Sequence, residues 1–240
     1  MHKNPLPALI TLLLLTTTAS LTACSETNPT NSATEIKHQQ VQNKTETVKP
    51  VEVIENATVD EQIQAWKDTG VLKPTNDPNV WKATKPLPRP TANLKYPKPE
   101  YPAKGYEHTQ EGAEAVAIYL EHLLAYAYVS GDTADLEKYC SSESKFCSGI
   151  AQSIKTNETN EEWIADYHVN SVQIIGVGIP DGKESKGEVS FRVEYNSTAH
   201  FGFSKTASTV TRFSADQDVA RINLSFVDNH WLVVAGSVEE

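Results

Sequence analysis

The chain has 240 residues, with 31 acidic against 21 basic side chains and a formal net charge of −10. That balance argues against a nucleic-acid binder, whose affinity rests on basic contacts to phosphate, and against a basic patch gripping lipid headgroups; the charge serves solubility. The three cysteines, Cys24, Cys140 and Cys147, are an odd number, which in an exported protein leaves one thiol to be accounted for.

Residues 1–23 read as an export signal. Lys3 sits in a short n-region, and Leu9-Ile10-Thr11-Leu12-Leu13-Leu14-Leu15 forms an apolar run too short to span a bilayer as a helix. Leu21-Thr22-Ala23-Cys24 resembles the lipobox of bacterial lipoproteins, with Leu21 three positions before the cysteine and Ala23 directly before it. The resemblance implies diacylglycerol on the Cys24 sulfur and cleavage before it. The alternative is soluble secretion with Cys24 unmodified. Two or three acyl chains on one residue anchor firmly, because each buried CH₂ contributes about 0.8 kcal/mol. The expected location is the cell envelope, with the domain on the extracytoplasmic side of the membrane, and of the outer membrane where there is one.

Residues 24–57 are rich in Thr, Asn, Glu, Gln, Lys and Ser and lack apolar periodicity, which reads as a disordered tether. A coil of this length spans on the order of 30 Å. Residues 58–70, "TVDEQIQAWKDTG", predict a short helix. Thr58 and Glu61 form a capping box, Val59, Ile63 and Trp66 share one face, and Gly70 sits at the C-terminal cap. So short a helix is marginal alone, so Trp66 docks either on the chain's own domain or on a partner protein. Eight of the thirteen prolines lie between Pro74 and Pro102, and residues 58–105 as a whole read as that helix plus an extended proline-rich spacer.

The folded domain is expected over 106–240. Residues 109–132 predict the longest helix, capped by Thr109, with Val116, Tyr119, Leu120, Leu123, Leu124 and Ala127 as its apolar stripe and Gly131 ending it. A short second helix starts at Asp132 or Thr133, and a third runs from about Glu143 to Lys155 with Phe146, Ile150 and Ile154 on one side. If Cys24 is lipidated, Cys140 and Cys147 remain as a pair. A disulfide across their six intervening residues would stabilise by roughly 2–3 kcal/mol. A zinc site would lack further ligands, and a redox motif would want C-x-x-C.

After Trp163 the apolar period becomes two. Residues 169–179, 188–195, 208–213, 220–226 and 230–238 predict antiparallel strands, with Asp228-Asn229 as a turn. In the second of these, Val189, Phe191, Val193 and Tyr195 face the core, and Ser190, Arg192 and Glu194 face solvent. The fold class is α+β, with N-terminal helices packed on a curved antiparallel sheet of four to six strands.

Tyr96-Pro97, Pro99, Pro102, Glu107, Thr109, Glu111-Gly112-Ala113, Tyr119, Tyr126-Ala127-Tyr128, Ser130-Gly131-Asp132-Thr133 and Leu136, followed by the paired cysteines, carry a further resemblance. Together they resemble DUF6318, a family of bacterial lipoproteins of unknown function known mainly from actinobacteria. The family usually spaces its cysteines more closely. The layout is also similar to the nuclear transport factor 2-like cone, a curved sheet around a long helix; the analogy is one of fold and implies no activity.

Enzymes of the cone fold place an Asp, Tyr or His inside the cone. The candidates for such a pocket are His122, Tyr126, Asp166 and His168, with Tyr167 between the last two. No phosphate loop, nucleophile elbow or H-E-x-x-H occurs, so neither cofactor nor metal is expected. The leading expectation is a non-catalytic domain that binds an envelope protein or a small ligand, with Trp66 or Arg192 at the interface. The alternatives are a dehydratase- or isomerase-like enzyme on a small apolar substrate, and a structural role in envelope assembly.

Overall fold

Helix α1 (Val59–Asp68) starts where its capping box predicts: the Glu61 amide donates to Thr58 Oγ1 (3.2 Å) and the Thr58 amide to Glu61 Oε2 (2.8 Å). The structure is a computed structural model describing residues 51–180 and 188–239. The chain divides into two units, Met1–Thr47 and Val48–Glu240, and every described residue belongs to the second. The export signal, Cys24 and nearly all of the expected tether lie outside the described residues.

The proline-rich segment is part of this unit. It carries strands β1 (Leu72–Pro74) and β2 (Val80–Ala83) and two 3₁₀ turns, Thr91–Lys95 and Ala103–Tyr106. Leu87 and Asn93 are buried within it, and Asn93 Nδ2 donates to the Ile164 carbonyl (2.7 Å). Prolines suit this path because they sit at strand ends and in turns, where no ladder hydrogen bond is lost.

Helix α2 (Gln110–Ser130) is buried on nearly all sides, as its apolar composition requires. Thr109 caps it by accepting from the Gly112 amide (3.1 Å). Gly131 ends it in the left-handed conformation (φ +81°), where a Cβ would also strike Glu158. Asp132 accepts from the Ala134 amide (2.9 Å) to start α3 (Ala134–Tyr139), and Ser144 caps α4 (Lys145–Thr159). Among the described residues no helix is long and apolar enough to cross a membrane.

Among the described residues nine strands form two antiparallel sheets. With β3 (Trp163–Ala165), β4 (Val169–Gly178), β5 (Val189–Ser197), β6 (His200–Ser204), β7 (Thr209–Phe213), β8 (Asp216–Val227) and β9 (His230–Glu239), the orders are β1-β2-β7-β6-β3 and β4-β5-β8-β9. The sheets share their strands. Ala165 pairs Phe201 and Val169 pairs Ser197, four residues on against four back; Ser197 pairs Asp216 and His200 pairs Phe213, three on against three back. Three strands thus pass from one sheet to the other without a slip in register. The α+β class and the curved antiparallel sheet stand as expected, but the curvature is concentrated at one corner.

The corner is made by Asp166-Tyr167-His168 on one strand and Thr198-Ala199 on the next. Asp166 turns the chain with φ +64°, sparsely populated for a residue other than glycine. Thr198 Oγ1 accepts from the His168 amide and donates to the Asp166 carbonyl, both at 2.8 Å.

Each sheet covers its own core. The four-stranded sheet packs Phe191, Val193, Ile222 and Leu224 against Val116, Leu120 and Leu123 of α2. The five-stranded sheet packs Phe201, Phe203 and Val210 against Val59, Ile63 and Trp66 of α1, with Trp163 between them. Trp66 is therefore not an interface residue. It is 2 % exposed, 6.2 Å from the Trp163 ring, and its indole N–H donates to the Glu52 carbonyl. The expected alternation of β5 holds, with one correction: Ser190 on the outer face is buried, paired across from buried Asn223.

Candidate functional site

The least comfortable residue in the core is Glu121. It lies in the middle of α2 between Ala117 and Ala125, one turn away on either side, and is 3 % exposed. Its Oε1 has no hydrogen-bond partner. Burial first, and the charge of Asp218 second, push its carboxyl up to about 8. Asp218 stands on β8 directly across from Tyr195 of β5, on the inward face that continues through Ala220 and Ile222. Its own carboxyl is raised by burial and by Asp216.

Tyr167 and Tyr195 complete the surroundings. Burial holds both phenols above their usual range, and the charges of Glu121 and Asp218 add to it. Tyr128, two turns beyond Glu121 on α2, packs edge-on against Tyr167 (6.2 Å), which in turn meets His200 (4.9 Å). His200 is kept neutral by burial. Glu121, Asp218, Tyr128, Tyr167 and Tyr195 thus gather on the concave side of the corner.

The sequence-derived candidates fall differently. Tyr126 donates from its hydroxyl to Asp132 Oδ2 (2.9 Å), and Lys98 reaches the same carboxylate (3.1 Å). Tyr96 stacks on His168 (4.7 Å) and leans on Tyr126 (6.3 Å), and His168 Nε2 lies 3.2 Å from Asp166 Oδ1. Tyr126, Asp166 and His168 are therefore linked through Tyr96, in a partly exposed row outside the core. No contact joins His122 to this row; its imidazole is partly buried, which lowers its pKa. The row holds the spacer against α2 and the corner, whereas the buried ionisable residue is His122's neighbour. Glu121 had a signal in the sequence: it interrupts the apolar stripe of α2. Asp218 had one too, since the alternation of β8 carries it to the inward face.

On the outer face of the four-stranded sheet, Arg192 and Arg221 are cross-strand partners and share Glu239. Arg192 approaches it through Nε (3.0 Å) and Nη2 (2.6 Å), Arg221 through Nη2 (3.2 Å). All of this is open to solvent, with the Glu239 carboxyl held below its usual range by Arg192. Cys140 and Cys147 are joined (S–S 2.10 Å) beside β9, where the Ser141 amide donates to the Val233 carbonyl (2.8 Å). Phe146, between them, packs over Gly236, where any Cβ would collide with the ring. Among the described residues no group of three or more His, Cys, Asp or Glu side chains could hold a metal. A shallow cleft lined by Arg89, Tyr128, Glu158 and Trp163 touches the Glu121 group only through Tyr128.

A sharply bent antiparallel sheet folded around one long central helix defines the class: a small α+β domain of the helix-in-curved-sheet type. The chain belongs to DUF6318, a family of unknown function, which matches residues 88–236. The match begins after α1, β1 and β2. No curated protein matches the chain. Among solved structures it is similar to the intermembrane-space region of the chloroplast protein ARC6, at a TM-score of 0.43 and 9 % identity, covering 55 % of this chain and 97 % of that one. A likeness this low carries no argument about either fold or function.

Proposed function

We propose that the chain is an envelope lipoprotein, held to the membrane by lipid on Cys24, whose α+β domain binds a protein or small ligand without catalysis. Leu21-Thr22-Ala23-Cys24 and the polar stretch after it support the anchor. The observation that carries binding over catalysis is the filled concave face: Phe191, Val193, Ile222 and Leu224 are fully buried against α2, where a substrate of a cone enzyme would sit. The outer sheet face with Arg192 is the surface offered instead, since a planar guanidinium suits interface recognition.

The test is crosslinking in intact cells followed by purification. The wild-type chain should be recovered from the membrane fraction with a defined partner. Cys24→Ser should move it to the soluble fraction, and Arg192→Ala should weaken partner recovery while the fold persists. Cys24→Ser remaining membrane-bound would end the lipoprotein reading. Equal partner recovery by Arg192→Ala would remove that face.

A second reading, a cone-type enzyme, is favoured by Glu121 alone, whose carboxyl titrates near neutrality where a general base works best. It predicts turnover that Glu121→Gln abolishes.

A further inference from the structure

Glu121 presents an electrostatic problem that the chain leaves open. Its carboxyl is buried with an oxygen that no donor reaches. The other charge acting on it, Asp218, has the same sign. The remaining titratable groups around it do not help. Tyr128, Tyr167 and Tyr195 are neutral phenols, His200 beside Tyr167 and His122 beside Glu121 are held neutral by burial, and Asp216 adds a further negative charge behind Asp218. None of the three phenol hydroxyls takes part in a hydrogen bond among the described residues, which leaves their oxygens able to accept from an ammonium. At the edge of the corner Asp218 is only partly buried, and Val238, the partner of Ala220 on β9, is 47 % exposed.

We propose that this corner binds an organic primary ammonium group, with Glu121 as its counter-ion, Asp218 at its mouth, and the rings of Tyr128, Tyr167 and Tyr195 around it. Two carboxylates exclude an anion. A neutral ligand would bring no counter-charge to Asp218 and would leave Glu121 protonated, so it would release no proton on binding. A compact metal ion would want more hard donors than two carboxylates and phenols provide. An alkylammonium matches what is present: it donates to Oε1, and its charge and adjoining CH₂ groups rest on aromatic faces. The site is distinct from the outer sheet face and stands whether or not the chain is lipid-anchored.

Binding carries a proton signature. Below about pH 8 the Glu121 carboxyl holds its proton in the free protein. The incoming ammonium displaces that proton to the buffer, leaving a carboxylate–ammonium pair. One proton is released per ligand bound, so affinity rises about tenfold for each pH unit up to about 8.

The experiment is calorimetry on the full chain with n-butylammonium chloride, against potassium chloride and n-butanol as controls. Saturable binding of butylammonium is expected, about tenfold tighter at pH 7 than at pH 6, with a heat that differs between buffers of different ionisation enthalpy. Glu121→Gln should lose binding by tenfold or more while its melting temperature at pH 8 rises, which separates loss of the site from loss of the fold. A short peptide with one lysine, compared with butylammonium, locates the source: tighter peptide binding means a protein lysine, weaker means a free amine. Failure of both amines, equal binding of potassium or butanol, a flat pH profile, or unchanged binding by Glu121→Gln would each overturn the proposal.

Discussion

The two cores of this domain are built to different standards. Under the five-stranded sheet, the polar groups that enter are matched. Trp66 and Trp163 donate to the Glu52 and Leu87 carbonyls, Gln62 bonds the Ile54 amide and the Glu52 carbonyl, and Asn93 bonds Ile164. Under the four-stranded sheet and around it, Tyr119 Oη, Glu121 Oε1 and Asn223 Oδ1 are buried with no partner. A core that serves only stability satisfies what it buries. An unmatched group costs stability where it stands, and the ammonium site proposed above would give one of them, Glu121, its partner. The N-terminal segment of α1, β1 and β2, outside the family match, supplies Val59, Ile63, Trp66, Leu72 and Ala83 to the well-matched core.

The sharpest way to break the contrast is to damage the matched core. Trp163→Ala removes a side chain held between Trp66 and Phe203 and should cost about 3–5 kcal/mol in urea unfolding. Trp66→Ala should cost a similar amount, and the double variant less than the sum, because the rings touch. A small loss would mean that α1 is only loosely docked.

Next in size is the pH dependence of Glu121→Gln. In the wild type the folded carboxyl keeps its proton to about 8, while unfolded it loses it near 4.5. The folded state binds the extra proton, so this group's contribution is fully present below pH 4.5 and is lost as pH rises to about 8. Glu121→Gln lacks the effect, so its advantage should widen by up to about 1.4 kcal/mol per pH unit across that window. Parallel stability–pH curves would show that Glu121 is solvated.

Cys140→Ser with Cys147→Ser opens the loop beside β9 and should cost roughly 2–3 kcal/mol, with the change in hydrogen exchange confined to α3, α4 and β9. Unreduced wild-type protein should show no free thiol at either position. Thr198→Val leaves the His168 amide without its acceptor at the corner and should cost about 1–3 kcal/mol, seen as faster exchange at that amide. The smallest effect belongs to Arg192→Ala. Its pair with Glu239 is open to solvent and screened, so the melting temperature should hold within a few degrees. A large loss would place Arg192 in the structural core and not at an interface.

Much of this was legible from local chemistry. The Thr58–Glu61 box, the Thr109 cap, Gly131, the alternation in β5 and β8 and the Asp228-Asn229 turn are decided by residues a few positions apart, and the structure has them, with positive φ at both turn residues. β1 and β2 were hidden because they are three and four residues long among prolines, and β2 finds its other partner in β7, far along the chain. β3 and β6 were hidden because a bent strand looks like two broken ones: Asp166-Tyr167-His168, just ahead of the strand expected from 169, is the bend within one. Trp66 could have faced either a partner or its own domain, and only the distant Trp163 decides between them. An acid in an apolar stripe reads equally as a stripe edge or a buried charge until the sheet around it is known.

The unbroken register through the corner constrains how such a chain can change over generations. Three adjacent strands cross from one core to the other with Thr198 bolting two of them together, and the pairing shifts only beyond the corner, after Val169 and after Ile174 in β4. One residue gained or lost at Thr198-Ala199 would turn the rest of β6 inside out unless the same change occurred on the strands beside it. A change of length at the corner must therefore be matched on the neighbouring strands or taken up by a bulge, as β4 does after Val169.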